Sequence, residues 1–438
     1  MRSAPGPRAQ QLVAWIDSWV AGRFPGAAPR VVAAVQVLLR GLSAGLLGSL
    51  VGGVAGTFAQ VLLVRKLGSE LFGEYATLSA TLAIMASLLG IGLDTWTLHD
   101  SSRHPEHVTR NVWHALLLKG CVALLLLTGL AVAQSSRIAL TTTFVVGVIG
   151  IIVESFAATG FSALRALRRN EWVAALQTVG PIMLLLVLLA LQQAPGSVLV
   201  VIAVQTAISA LVSVLTLRKV WQIAGTPRRE RHVIRRMIKG AWLFVVSEIL
   251  STLYLQSAIA ILGNTGDENA AGALRAAQNA VAYTLIAPTL LFVTALPLLN
   301  DPNLDRRGYR TIVGMMLVGA LVYGLAAGGA TYLLAPRVIA SLYGAEFSAA
   351  IPLLQQFWFV PLVRSGSLIG AAVLLSHGRT RLRVQLQLLV VLANVGLGVL
   401  LIPSGGAAAA FLVITITELI VLALYTIATL IIGRRLRL

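Results

Sequence analysis

Cysteine occurs once in the 438 residues, at Cys121 within an apolar stretch, so a disulfide framework and a Cys-x-x-Cys metal site are both excluded. Charge is nearly as scarce: Asp, Glu, Lys and Arg make up 11% of the chain against 57% hydrophobic residues, and the mean hydropathy is +0.86. A soluble domain of this size could not hydrate so much apolar surface. Acidic residues are the scarcer sign, 16 against 34 basic ones, for a net charge of +18. No short apolar core with a small-residue cleavage site comes first, so a signal peptide is not expected. What the chain has in abundance is the long apolar run.

A helix rises about 1.5 Å per residue, so roughly twenty apolar residues cross a hydrocarbon core of about 30 Å with every backbone group bonded internally. Twelve such runs follow one another: 44–64, 75–98, 112–133, 140–161, 172–191 and 197–217, then 241–263, 273–298, 311–333, 351–375, 384–401 and 407–431. Their connections alternate in charge. One side carries 27 Lys and Arg, the other only Arg65, Lys66, Arg137 and Arg337, and Lys119, Arg275 and Arg364 fall inside spans. Basic connections resist translocation, which places the basic side and both termini in the cytoplasm. Trp96, Trp113, Trp172 and Trp242 lie at span ends on that same side, as an interfacial indole would. The positive excess in short loops points to anionic membrane lipids rather than nucleic acid as its partner.

The longest basic connection follows the sixth span and divides the chain equally. The expected organisation is a cytoplasmic N-terminal segment (1–43), an N-lobe of six helices (44–217), a basic cytoplasmic linker (218–240), a C-lobe of six helices (241–431) and a basic cytoplasmic tail (432–438). Within the first segment Leu12, Trp15, Ile16, Trp19 and Val20 share one helical face, which suits an interfacial helix. The halves also resemble each other. Leu67-Gly68 followed by Phe72-Gly73 in the first matches Leu262-Gly263 followed by Ala271-Gly272 in the second. An even number of spans per half makes the repeats parallel, so the fold class is an all-α polytopic membrane protein of about 12 helices in two parallel lobes. Such repeats put a substrate cavity between lobes that rock. Gly48, Gly52 and Gly56 form a small-residue groove for close helix packing, and Pro181, Pro288 and Pro361 each remove a backbone donor within a span.

Ionisable groups inside a bilayer are costly and normally face a partner or a wet cavity. Arg364 and Glu418 lie more than ten residues from either end of their spans, roughly 15 to 20 Å deep. They suit either a buried ion pair between the tenth and twelfth spans or a cation for an anionic headgroup beside a coupling carboxylate. Arg275, at the edge of the eighth span, and Lys119, which could instead snorkel as an anchor, complete the candidate cavity cations. Glu154 and Glu248, about two turns from the cytoplasmic ends of the fourth and seventh spans, and Asp94, near the inner end of the second, are candidates for coupling or gating. His99, His104 and His107 cluster with Asp100 and Glu106 in one loop, read as a solvated polar loop rather than a metal site. No cofactor is expected.

The run Arg65-Lys66-Leu67-Gly68-Ser69-Glu70-Leu71-Phe72-Gly73-Glu74-Tyr75, with Leu89-Gly90-Ile91-Gly92-Leu93-Asp94, resembles the polysaccharide flippase family (Wzx-type). This family belongs to the multidrug/oligosaccharidyl-lipid/polysaccharide exporter superfamily. Leu164-Arg165-Ala166-Leu167-Arg168, Leu342-Tyr343-Gly344-Ala345-Glu346-Phe347 and Gly378-Arg379-Thr380 add to the match, which covers residues 41 to 435. The resemblance implies a two-lobed bundle with a cationic cavity that flips polyprenyl-diphosphate-linked oligosaccharide across the bacterial plasma membrane. It would act beside polysaccharide glycosyltransferases or a polymerase, with proton or sodium coupling left open. In one respect the chain departs from the family. Many relatives have a carboxylate in the seventh span where this sequence has Gln256, Ser257 and Ala258, leaving Glu248 as a substitute.

Two other functions compete. A multidrug or cation antiporter of the same superfamily would use intramembrane carboxylates. A membrane-embedded glycan polymerase or ligase would need acid, base or arginine groups on a long outer loop, and the longest here lies between 333 and 351.

Overall fold

The computed structural model describes residues 45–135, 141–191, 197–225, 233–299 and 306–435. The 1–43 segment, residues 226–232 of the linker and the last residues of the tail lie outside them. The helices are α1 (Gly45–Leu88), α2 (Ile91–Arg103), α3 (Val108–Ser135), α4 (Thr142–Ala166), α5 (Asn170–Ala190), α6 (Val198–Ala224) and α7 (Val233–Asn264). They continue with α8 (Glu268–Thr284), α9 (Ile286–Leu299), α10 (Arg306–Leu342), α11 (Ala350–Gln356), α12 (Val360–Ser376) and α13 (Thr380–Arg435). Among the described residues nine segments are long and apolar enough to cross a membrane; with two of these doubled and the α8–α9 pair added, there are twelve crossings. Both α1 and α13 hold two crossings each, turned at Gly68 (φ 71°) and Gly406 (φ 56°), where a left-handed residue without Cβ strain is required. The eighth crossing is split into α8 and α9, each too short alone. The chain is thus a multi-pass, all-helical membrane protein built of two six-helix lobes.

The repeat suggested by the two Gly motifs is a physical contact. A Cβ on Gly73 would collide with the Glu268 carbonyl oxygen, and one on Gly272 would lie 3.0 Å from the Ser69 carbonyl and 3.2 Å from Gly73. Residues 69 and 73 in one repeat therefore meet 268 and 272 in the other reciprocally, as a pseudo-two-fold axis demands. The crossing lies on the charge-poor face. The largest hydrophobic core surrounds it, with Leu63, Leu67 and Phe72 of α1 packed among Ile259, Leu262 and Leu274 of the C-lobe.

Arg65 and Lys66 have a second role on this face. Arg65 donates to the carbonyls of Leu342, at 2.9 Å, and Ser341, while Lys66 donates to that of Leu191 at 2.6 Å. These are carbonyls at the ends of α10 and α5, where a cation meets unsatisfied acceptors. Two of the four cations on the sparse face are therefore helix caps.

The lobes also touch on the basic face, where α2 packs on α7. Trp96 is buried against Gly240 with Met237 and Ala241 beside it, so its indole seals two lobes together rather than resting at a lipid interface. Trp172 and Trp242 remain exposed. Asp100 of α2 adds an ion pair across the same boundary to Arg236, at 3.2 Å.

One of the sequence prolines, Pro288, finds compensation. Pro288 cannot donate to the Thr284 carbonyl, and the Tyr323 hydroxyl does so instead at 2.6 Å. This is where α8 gives way to α9. Along the small-residue groove, Gly52 and Gly56 face Thr178 and Pro181 of α5, the close packing their spacing predicts.

Candidate functional site

α8 carries several polar residues within the membrane, and its polarity is one-sided. Arg275, Gln278 and Asn279 recur at helical spacing, whereas Ala271, Leu274 and Ala277 are buried on the other flank. The polar flank faces a cavity of about 190 Å³, whose other walls are Tyr254 and Gln256 of α7, Arg364 of α12, and Asn394, Thr417 and Glu418 of α13. Two guanidinium groups from different helices thus meet in one C-lobe cavity.

Arg364 is held by Glu418, its Nη2 at 2.6 Å and its Nε at 2.7 Å from the same carboxylate oxygen, Oε1. The Tyr254 ring lies 5.3 Å from the guanidinium carbon, within the range of a cation–π contact. Glu418 is 1% exposed. Its second oxygen, Oε2, and the Tyr254 hydroxyl are both buried without a hydrogen-bond partner. Tyr254 and Glu418 nonetheless interact with each other, and both border the cavity. The ion pair expected between the tenth and twelfth spans exists, and it lines a cavity.

Arg275 lies seven residues into α8 and donates to Gln256 Oε1 at 2.8 Å. Gln256, with Ser257 and Ala258, makes up the stretch where the family resemblance leads one to expect a carboxylate. A neutral amide orients the guanidinium without cancelling its charge. Behind it Ser257 donates to Asn394 Oδ1 at 2.5 Å, and Asn394 donates to Thr417 at 3.2 Å, a chain ending one residue from Glu418.

Lys119 is placed differently from the sequence expectation. It neither snorkels nor faces a cavity. Its ammonium is completely buried and donates to Asp94 Oδ1 and Oδ2 at 2.9 and 2.8 Å and to the Ser155 carbonyl at 2.7 Å. All three of its protons are used. Asp94 also accepts from Thr159 at 2.7 Å, so the two candidates bind each other within the N-lobe and tie α2, α3 and α4. Because α2 and α3 pack side by side, the two charges, each near the cytoplasmic end of its span, meet at one level.

Glu154 stands twelve residues from each end of α4, about 18 Å from either terminus, and so lies deeper than the apolar run predicts. It lines two N-lobe cavities, of about 410 and 500 Å³. Glu248 is half-buried and lines neither these nor the C-lobe cavity. Its neighbours Ser247 and Ser251 are hydrogen-bonded to Gln387 of α13.

The His104, Glu106 and His107 ligand atoms come within 4.8 Å of one another in an exposed turn, the one such group among the described residues. A backbone hydrogen bond and the two adjacent imidazoles hold the Glu106 carboxyl below its ordinary range, as a solvated ion cluster would. Gln278, Asn279, Tyr254 and Asn394 escaped attention in the sequence because they carry no charge. The spacing of polar residues on α8 was the available signal.

The fold is similar to that of an inward-facing multidrug resistance MATE family transporter of the MOP superfamily, with TM-score 0.69 and 14% identity over 87% of this chain and 93% of that one. It is also similar to the lipid II flippase MurJ in an inward closed conformation, with TM-score 0.68 and 13% identity over 88% and 87% of the two chains. A MOP superfamily transporter from Pyrococcus furiosus gives TM-score 0.63 and 15% identity over 89% and 93%. Identities this low establish the shared fold. No curated protein matches the sequence. A family model described as polysaccharide biosynthesis protein matches residues 38–300, more than half of the chain, and the protein belongs to that family.

Proposed function

We propose that the protein flips a polyprenyl-diphosphate-linked oligosaccharide across the bacterial plasma membrane for cell-surface polysaccharide synthesis, without covalent chemistry. The observation that carries this reading is the pair of arginines, Arg275 and Arg364, in one polar cavity deep in the C-lobe. A diphosphate carries charge that must be compensated away from water, and guanidinium forks match phosphate oxygens two at a time. The lipid tail can remain in the bilayer while the headgroup crosses between the lobes.

Arg364 is engaged with Glu418 in this state, so a phosphate must displace the carboxylate or meet it neutralised. A proton or cation arriving at Glu418 would release the guanidinium, which links headgroup binding to an ion without any further group. Alternating access then consists of parting one inter-lobe contact while the other holds: the Gly73–Gly272 crossing on the outer face, or the Trp96 and Asp100 contacts on the cytoplasmic face. This orientation follows from the basic loops.

Deleting the gene should leave lipid-linked glycan on the cytoplasmic leaflet, measured by its resistance to an impermeant oxidant added to spheroplasts. Equal outer-leaflet exposure with and without the gene, in a strain lacking other flippases, would overturn the proposal. A second reading, export of a cationic compound, is favoured by one observation, the carboxylate of Glu154 in the N-lobe cavities. It predicts drug sensitivity in the deletant with normal surface glycan.

A further inference from the structure

Three cavities adjoin one another through the middle of the protein, and their charge changes sign along the way. The C-lobe cavity with Arg275 and Arg364 shares Leu255 and Gln256 with the 410 Å³ cavity of the N-lobe. That cavity shares Glu154, Ala158 and Ser209 with the one of 500 Å³. Neither N-lobe lining contains a lysine, an arginine or a histidine. Their polar groups are the Gln177, Gln205 and Gln256 amides, hydroxyls including Ser209, and a single carboxylate, Glu154, at the junction. Glu154 is exposed into this space.

We infer that the N-lobe cavities hold the sugars nearest the diphosphate, and that Glu154 restricts them to neutral or amine-bearing sugars while rejecting carboxylated ones. The inference rests on the flippase reading and names the glycan class. With the diphosphate on Arg275 and Arg364, the chain of sugars extends past Gln256 into the N-lobe. Amides and hydroxyls offer both donors and acceptors to sugar hydroxyls. An amine would pair with Glu154. A uronic acid would bring a second carboxylate beside Glu154 in a low-dielectric space with no cation in either lining, where like charges repel far more strongly than in water.

The test uses purified protein in vesicles containing one of three synthetic polyprenyl-diphosphate disaccharides that differ only in bearing a hexose, an amino-hexose or a uronic acid. Movement is read as accessibility to an impermeant oxidant. The wild type should move the first two at least about tenfold faster than the third, the equivalent of about 1.4 kcal/mol. E154Q should bring that ratio towards one. Equal wild-type rates for all three lipids would overturn the inference. So would an unchanged ratio in E154Q, or an equal slowing of all three, which would assign Glu154 to coupling. The wild-type ratio decides the matter even if E154Q folds poorly. Movement of none of the lipids would instead overturn the flippase reading itself.

Discussion

Replacing Lys119 by methionine isolates the interaction that holds the N-lobe together. The substitution keeps the length of the side chain and removes an ammonium that makes three hydrogen bonds, two to Asp94 and one to the Ser155 carbonyl. Asp94, itself 5% exposed, is left with Thr159 alone. Removing one partner of a buried pair costs about 3–5 kcal/mol, because a charge stays buried without compensation. Asp94→Asn should cost a similar amount, since it strands the ammonium. The double variant, with both charges gone, should recover about 2–3 kcal/mol of the summed loss, the coupling expected of residues in direct contact. The assay is the thermal midpoint of the detergent-solubilised protein, with membrane abundance as a second measure. A double variant no more stable than the two losses added together would refute the pairing. Single variants that keep wild-type stability but lose transport would return Lys119 to the substrate path.

Gly73→Val should force apart the crossing with Glu268 and Gly272; with Cys121 replaced by Ser and Gln278→Cys as reporter, labelling by an impermeant maleimide from the charge-poor side should rise several-fold, and unchanged labelling would contradict the assignment of this crossing as the contact closing that face. Tyr323→Phe removes the donor that satisfies the Thr284 carbonyl, a cost of about 1–3 kcal/mol for a stranded acceptor. In a Pro288→Ala background, which restores a backbone donor, thermal melts should find Tyr323→Phe nearly neutral. Asp100→Ala should destabilise more than Arg236→Ala in the same measurement. Asn111, fully buried, loses its 2.8 Å acceptor in the first case, whereas Arg236, with its side chain 61% exposed, contributes no more than about 1 kcal/mol.

The crossings and their alternation were legible because hydrophobic length and loop charge are properties of sequence alone. Phe72-Gly73 and Ala271-Gly272 were read from sequence only as a likeness between the halves; that they form the inter-lobe crossing emerged from the packing, where backbone contact leaves only glycine as a choice. The turns at Gly68 and Gly406 were less visible. A single residue of positive φ reverses a membrane helix without the polar loop by which connections are recognised. Depth was misjudged for Glu154 because apolar length locates the hydrocarbon core, whereas α4 runs on to Ala166. Lys119 and Asp94 were ranked as separate functional groups because hydropathy gives depth but not azimuth, and their pairing depends on which faces α2 and α3 turn to each other. Arg364 and Glu418 could be paired in advance only as one of two readings; that their contact also lines a cavity required the packing of α7, α8 and α13.

The central claim is that Arg275 and Arg364 carry a diphosphate headgroup through the C-lobe cavity. Its most direct test is the transbilayer movement of a synthetic polyprenyl-diphosphate glycan in vesicles containing the purified protein, compared with Arg275→Ala, Arg364→Ala and Glu418→Gln. Wild type should expose the glycan on the opposite leaflet, and each arginine variant should lower the rate at least about tenfold, the loss of one charge-assisted hydrogen bond of about 1.5 kcal/mol or more, at normal abundance. Unimpaired movement in the double arginine variant would contradict the claim. Loss of abundance in parallel with loss of movement would likewise contradict it, reducing Arg364 and Glu418 to a structural tie.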